Sequence, residues 1–337
     1  MTQPFPAAPA IAFIGAGRLA SSLARAFAGA GARVVAIASR DPASAAALAA
    51  RIDGCRALAP QAAADAADLV FITVPDDAIA SVADALRWRA GQGVVHCSGA
   101  TELTALDTAT RAGALAGGFH PLQIFSDPDV AIGQLAGAAV AIEAPAALAA
   151  PLDALAAGVG LRPFALPPGA RARYHASAGM AASFLLTLLD EAARVWASFG
   201  VPPAQALAAL LPIARGTLAA AESRGLAGAV SGPPSRGDVG VIARHLAALD
   251  ALDAEAARRG AAAAHAAGGA VSPPAEHATA DGATTNLALA SADLAREHGA
   301  FYRELTRRQL ALVADAGRVP PEGIAAMHAR LAEPPRG

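Results

Sequence analysis

An apolar run, Ile11-Ala12-Phe13-Ile14, passes without a spacer into Gly15-Ala16-Gly17-Arg18-Leu19-Ala20. An amphipathic stretch then continues through Phe27 to Gly29-Ala30-Gly31. Strand, glycine turn and helix in that order let a backbone cradle a phosphate. Gly15 permits the tight turn, Gly17 leaves an anion room against the main chain, and the small Ala20 lets the helix pack onto the strand. The start of the helix brings free N–H groups and a positive dipole end to the same point. A second β-rich run, Arg33–Ala38, follows at once, so the opening residues predict two parallel strands joined by a crossover helix.

The same alternation continues. Short aliphatic or β-branched runs at Leu69–Val74, Val94–Cys97, Ala139–Ile142 and Pro163–Leu166 are separated by alanine-rich helical stretches. This predicts an α/β fold: a Rossmann-type doubly wound parallel sheet over residues 1–168. After residue 169 long helical stretches take over, as in Tyr174–Phe199, Pro203–Ser223, Val239–Ala257, Phe301–Gly317 and Glu322–Leu331, so an all-α domain is expected over 169–337. Residues 259–295 are rich in Ala, Gly, His, Ser and Pro and poor in large apolar side chains, and read as a flexible insertion.

Of the 337 residues 55% are hydrophobic, yet only 4% are aromatic, and alanine supplies much of the total. The mean hydropathy of +0.41 thus reflects small side chains. Long uncharged stretches such as 195–214 are cut by Gly200, Pro202, Pro203 and Pro212, so no membrane-spanning helix is expected. The N-terminus lacks the basic start of a signal peptide, and a cytoplasmic location is the expectation. A net charge of −2 points to neither nucleic acid nor anionic lipid. Cys55 and Cys97 form no disulfide framework, and neither they nor His265 and His277 have metal-ligand spacing. All 26 cationic side chains are arginine, which excludes any mechanism that needs a lysine amine.

The strand ending Ala38-Ser39-Arg40 selects among dinucleotides. Ser39 can donate to a phosphate and Arg40 can fork onto it, whereas Asp41-Pro42 reads as a helix cap. NADP(H) is therefore expected over NAD, held by Gly15, Ala16, Gly17, Arg18, Leu19, Ser39 and Arg40. Beyond the next strand Val74 and Pro75 can floor a nicotinamide ring, followed by Asp76 and Asp77, which read mainly as helix-start carboxylates, with Asp76 kept among the cofactor contacts. Ser98, after His96-Cys97, is a substrate or cofactor hydrogen-bonder or a turn residue.

Transfer of a hydride to C=O or C=N needs a proton donor nearby. His120 stands at a strand end where a cofactor should lie. Tyr174 and His175 open a long helix, and either can relay a proton or pack between domains. Arg236-Gly237-Asp238 sets a guanidinium and a carboxylate before a helix; Arg236 can bind a substrate carboxylate, and Asp238 orients a donor or caps the helix. His245 reads as a packing residue.

Three segments carry a resemblance: Gly118-Phe119-His120-Pro121-Leu122-Gln123-Ile124-Phe125, Arg173-Tyr174-His175-Ala176, and Ser231-Gly232-Pro233-Pro234-Ser235-Arg236-Gly237-Asp238 with Val239 to Leu246. Together they resemble a bacterial oxidoreductase-like family that joins a Rossmann domain to a helical domain of unknown function. That family is similar to pyrroline-5-carboxylate reductases and the 6-phosphogluconate-dehydrogenase-like group, with ketopantoate reduction in some similar proteins. The resemblance implies a nucleotide-binding domain, a helical domain that completes the active cleft, and a homodimer through those helices. Ser183 stands where the family tends to carry asparagine, and Pro234-Ser235 replace a small aliphatic pair.

The expected function is an NADPH-dependent reductase of a small keto or imino acid, with His120, Tyr174, His175 and Asp238 catalytic and Ser98, Ser183 and Arg236 on the substrate. The alternatives are a catalytically silent NADP-binding sensor or scaffold, and exchange with a deazaflavin carrier.

Overall fold

The computed structural model describes residues 5–267 and 297–334. They divide into two compact units, residues 1–182 and 183–337. The first carries eight strands, β1 (Ile11–Ile14), β2 (Val34–Ala38), β3 (Arg56–Ala57), β4 (Leu69–Ile72), β5 (Gly93–His96), β6 (Leu115–Pro121), β7 (Ala139–Glu143) and β8 (Arg162–Ala165). They form one sheet in the order β3-β2-β1-β4-β5-β6-β7-β8. The helices between them are α1 (Arg18–Gly29), α2 (Pro42–Ala49), α3 (Pro60–Asp65), α4 (Ile79–Asp84), α5 (Asp107–Arg111), α6 (Pro128–Gly133) and α7 (Ala146–Gly158), and α8 (Arg171–Ala181) follows the last strand.

β1, β4 and β5 are buried along their whole length, as strands covered on both faces must be. Their alternation sorts the side chains into two cores. Ile11, Phe13, Leu69, Phe71 and Val95 face one layer with Leu23 and Phe27 of α1. Ala12, Ile14, Val70, Ile72 and Val94 face the other. Phe13 stacks on Phe71 at 5.1 Å, and Phe119 meets Phe71 and Phe27 edge-on at 5.7 and 5.9 Å, so four aromatic rings tie β1, β4, β6 and α1 into one layer.

The sheet departs from the parallel expectation at one place, where β6 and β7 run antiparallel, Gly118 opposite Glu143. The short α6 links them, which is less than a full crossover. β3 and β6 lie outside the apolar runs of the sequence. β3 has only two residues, both exposed, and β6 reads Leu-Ala-Gly-Gly-Phe-His-Pro, with glycine and proline masking the strand signal.

The second unit carries α9 (Ser183–Ala197), α10 (Pro203–Ala229), α11 (Val239–Ala267), α12 (His298–Asp315) and α13 (Pro321–Ala332). The expected single helix over 174–199 is two helices, interrupted at Ala182 (φ −106°, ψ −76°). The division at 182/183 leaves α8 in the first unit, whereas the composition change had suggested 168/169. Of the insertion read over 259–295, residues 259–267 instead continue α11, and the rest lies outside the described residues. The membrane expectation also needs correction, because the 27-residue α10 contains an 18-residue window of mean hydropathy 1.3 and is, by length and composition, long and apolar enough to cross a bilayer. Pro212 sits inside the helix without ending it, and the chain bends instead at Gly225, where φ is +70°.

Val230, Ile242, Leu246, Leu310, Val313, Met327 and Leu331 form the core of this unit. Polar ties set its helices. Asp253 accepts from the amides of His298 (3.1 Å) and Gly299 (2.8 Å) at the start of α12. Arg303 forks onto Asp250 at 2.7 and 2.6 Å, and His298 Nδ1 lies 2.8 Å from Glu191 of α9. Phe184 and Leu186 of α9, Phe199 after it, and Ile213, Leu218 and Leu226 of α10 are exposed.

Candidate functional site

The glycine turn is held from two sides. Gly15 N–H donates to Ala38 O at 2.8 Å, and the Thr73 hydroxyl donates to Gly15 O at 3.1 Å, so the ends of β2 and β4 clamp it. Gly15 adopts φ +116°, and a Cβ there would stand 2.3 Å from the Thr73 carbonyl oxygen. Only glycine fits. At Gly17 a Cβ would meet nothing within 4 Å, so this residue presents open backbone. No side chain caps α1 and no acid occupies its first turn, leaving its leading amides open beside the exposed Arg18. Gly15, Ala16, Gly17, Ser39, Arg40, Val74 and Pro75 line one cleft of about 620 Å³. Leu19 is half-buried on α1 behind it.

Asp41 is committed elsewhere: its carboxylate accepts from the amides of Ala43 and Ser44 at 3.1 and 3.2 Å. The Ser44 hydroxyl, then those amides, hold it below the usual carboxylate range. Arg40 is exposed and makes no ion pair among the described residues. A cleft with open amides at its floor and a free guanidinium at the ribose end suits a dinucleotide carrying an extra phosphate. The donor set fits NADP(H).

The second group of candidates gathers at the carboxyl ends of β5 and β6. His120 Nδ1 lies 2.8 Å from the Tyr174 hydroxyl, and the rings meet edge-on at 5.5 Å. His175 stands edge-on to the other side of His120, at 5.7 Å. Gly99 lies against both histidines; a Cβ there would stand 2.4 Å from His175 Cδ2 and 2.8 Å from His120 Nε2. Burial, then the charges of His175 and Arg171, push His120 down to about 4, against a smaller opposing pull from Asp76. Burial likewise raises Tyr174 to about 12. At neutral pH the pair is an uncharged imidazole and a phenol.

Ser98 is buried and fully engaged. Its hydroxyl donates to Asp76 Oδ2 at 2.7 Å and accepts from the amides of Ala100 (3.1 Å) and Thr101 (2.9 Å). The Asp76 side chain thus anchors the 98–101 turn instead of capping the short 3₁₀ turn it opens. His96, at the end of β5, accepts from Ser98 N–H through Nδ1 at 3.2 Å, while its Nε2 is buried without a partner. Burial first, then Arg171, pushes His96 down to about 3.

Ser183, Arg236 and Asp238 belong to the second unit. Ser183 opens α9 and is exposed. Arg236 is exposed in a 3₁₀ turn, and Asp238 Oδ1 accepts from Val241 N–H at 3.0 Å, the contact of a helix cap. His245 meets the Tyr302 hydroxyl at 2.8 Å. Two residues escaped the sequence reading, Arg171 and Glu143. Both are buried and joined by a 2.7 Å ion pair beneath the His120 group. The pair spans 28 positions, and nothing in the local pattern marks either partner.

A sheet of this order with an open-amide glycine turn and a phosphate-directed cation defines a dinucleotide-binding oxidoreductase domain. Residues 10–99 match the family described as NADP oxidoreductase, coenzyme F420-dependent, and residues 138–264 match a domain of unknown function, DUF2520. The chain thus carries an NADP oxidoreductase domain followed by a DUF2520 domain. No curated protein matches it in sequence.

Solved structures show the same fold. A Thermotoga maritima protein is 22% identical with a TM-score of 0.59, over 70% of this chain and 87% of its own. An imine reductase from Pseudomonas sp. is 19% identical with a TM-score of 0.57, over 96% and 99%. A 1-pyrroline-5-carboxylate reductase from Streptococcus pyogenes is 17% identical with a TM-score of 0.51, over 64% and 81%.

Proposed function

We propose that this chain reduces the C=O or C=N bond of a small keto or imino acid with NADPH. The observation that carries the reading is the hydrogen bond between His120, near the carboxyl end of β6, and Tyr174 of α8, on the same edge of the sheet as the glycine turn that follows β1. Ligands of such sheets bind beyond those ends. The open amides of α1, with Gly15, Ala16, Gly17, Arg18 and Leu19, would hold the pyrophosphate, Ser39 and Arg40 the 2′-phosphate, and Val74, Pro75 and Asp76 the nicotinamide end.

NADPH supplies a hydride when bound, and reduction then requires a proton. An uncharged His120 is not a standing acid at neutral pH, so the acid role moves to the pair. Tyr174 holds the proton, and as it leaves toward the oxygen or nitrogen of the substrate, His120 Nδ1–H steadies the phenolate that remains. His175, edge-on to His120, belongs to the same proton-handling group, and Asp238, the cap of α11, is the carboxylate the reading keeps for orienting a donor. The hydroxyl of Ser98, committed to Asp76 and two amides, holds the turn and leaves the substrate role to Ser183 and Arg236, whose guanidinium makes no ion pair among the described residues and suits a carboxylate. The exposed apolar faces of α9 and α10 support a homodimer. Two free thiols, Cys55 and Cys97, suit a cytoplasmic enzyme.

The test is a panel of 2-keto acids and cyclic imines assayed for NADPH oxidation, with a reduced deazaflavin as alternative donor. The reading expects one class to be turned over and both Tyr174→Phe and His120→Ala to lose ~10²-fold or more in kcat with NADPH affinity intact. NADPH binding with no hydride exchange on any substrate would leave a silent binding protein in its place.

A further inference from the structure

Arg171 opens α8 and has no exposed surface, although it is a guanidinium. It reaches three strands. Nε donates to Glu143 Oε2 on β7 at 2.7 Å, and Nη1 donates to the carbonyl of Ser98, just past β5, at 2.9 Å. Nη2 lies over Gly118 of β6, so close that a Cβ there would stand 1.7 Å from it, and it has no hydrogen-bond partner. A buried guanidinium with an idle donor adds little to stability, since apolar side chains of similar volume commonly serve as well. Its placement indicates another role.

The contacts of Arg171 converge on the His120 pair. The Ser98 carbonyl that it holds leads directly into Gly99, the residue pressed against His120 and His175. Tyr174 follows on the same helix, three residues later, and there meets His120. One side chain thus fixes the floor beneath the imidazole and the start of the helix that carries the phenol.

We propose that Arg171 is a positioning residue for this reduction: it locks the Gly99 turn and the start of α8 so that Tyr174 and His120 share their hydrogen bond, and its fixed charge keeps the imidazole from taking a second proton. The inference rests on the pair as the proton source. The titratable and charged groups around His120 are His96 from β5, Asp76 from its turn, Tyr174, His175 and Arg171 from α8, and Glu143 from β7 behind Arg171. A second proton on His120 would set a second cation beside the buried Arg171 guanidinium.

The test uses the full chain without cofactor, following the His120 ring by NMR, with its signal assigned by loss in His120→Gln. At pH 5 about a tenth of His120 should be protonated in the parent protein. In Arg171→Met that fraction should rise at least threefold. The acid limb of NADPH oxidation should move to higher pH, NADPH affinity should stay within twofold, and Arg171→Lys should restore most of the parental titration. An unchanged titration in folded Arg171→Met overturns the proposal.

If that variant does not fold, Glu143→Gln carries the test. It leaves the guanidinium charge unbalanced, so the protonated fraction at pH 4 should fall from about half; an unchanged fraction overturns the proposal. The NMR readout needs no substrate. Intact turnover in His120→Ala and Tyr174→Phe would therefore refute the function while leaving the effect of Arg171 on His120 standing. A still titration alongside lost turnover in those variants would refute Arg171 alone.

Discussion

Two glycines of one turn should fail for opposite reasons. In Gly15→Ala the new Cβ meets the Thr73 carbonyl oxygen at 2.3 Å and its carbon at 2.6 Å, both backbone atoms, at φ +116°. A side chain in that backbone region costs ~1–3 kcal/mol, and forcing β1 and β4 apart costs a similar ~1–3 kcal/mol. At roughly 2–4 °C per kcal/mol for a unit of this size, the sum lowers Tm by roughly 5–20 °C. Gly17→Ala differs. Its backbone, at φ −74° and ψ −175°, suits any residue, and its Cβ meets nothing within 4 Å. Removing glycine freedom from the unfolded chain should leave Tm unchanged or raise it slightly, by ~0.4–1 kcal/mol in stability. The methyl group then stands on the open backbone where a pyrophosphate has to approach, and NADPH affinity should fall at least about tenfold, or ~1.4 kcal/mol. Thermal unfolding without cofactor and a fluorescence titration with NADPH separate the two effects. Parental NADPH affinity in Gly17→Ala, or an equal Tm loss in both variants, would refute the assignment of the turn.

NADPH should bind several-fold more tightly than NADH, and Arg40→Asp should narrow or reverse that preference, because a charge-assisted phosphate contact contributes ~1.5–3 kcal/mol; equal dissociation constants in the parent protein would contradict it. The folded pKa values of His120 and His96, about 4 and about 3, lie below the unfolded value near 6.5. The unfolded chain therefore binds more protons as pH falls below 6.5, so stability should be flat above pH 7 and decline toward pH 4, by on the order of 3 kcal/mol through His120. Denaturant midpoints across that range check this, and His120→Gln should flatten the slope. Light scattering at micromolar concentration should return twice the 33.2 kDa chain mass, and a monomer would remove the dimer from the proposal.

The cofactor half of the site was legible because its signals are local. Gly15, Gly17 and the apolar run before them are contiguous, and the same short window that predicts the turn also builds it. The burial of β1 and β4 followed from their unbroken apolar composition, Ile-Ala-Phe-Ile and Leu-Val-Phe-Ile. β6 was harder, since Gly117, Gly118 and Pro121 suppress the strand signal in the very segment that positions His120. The Arg171–Glu143 pair was invisible. An arginine after Pro-Pro-Gly-Ala reads as a surface residue, and only the closed sheet shows that Gly118 leaves room for its guanidinium. The tertiary context also decided Asp76 and Asp238: similar acids before helices, one tied to Ser98 and the other capping α11. Pro212 misled for a related reason, since a proline need not end a helix whose neighbouring carbonyls reach other partners or water.

The clasp between α11 and α12 has a consequence for how this chain can be altered. Asp253 receives the first amides of α12, and Asp250 grips Arg303 a turn further on. The register of the two helices is therefore written in side chains near their junction and does not depend on the length of whatever joins them. A linker of another length between residues 267 and 297 should therefore leave both contacts of the clasp in place.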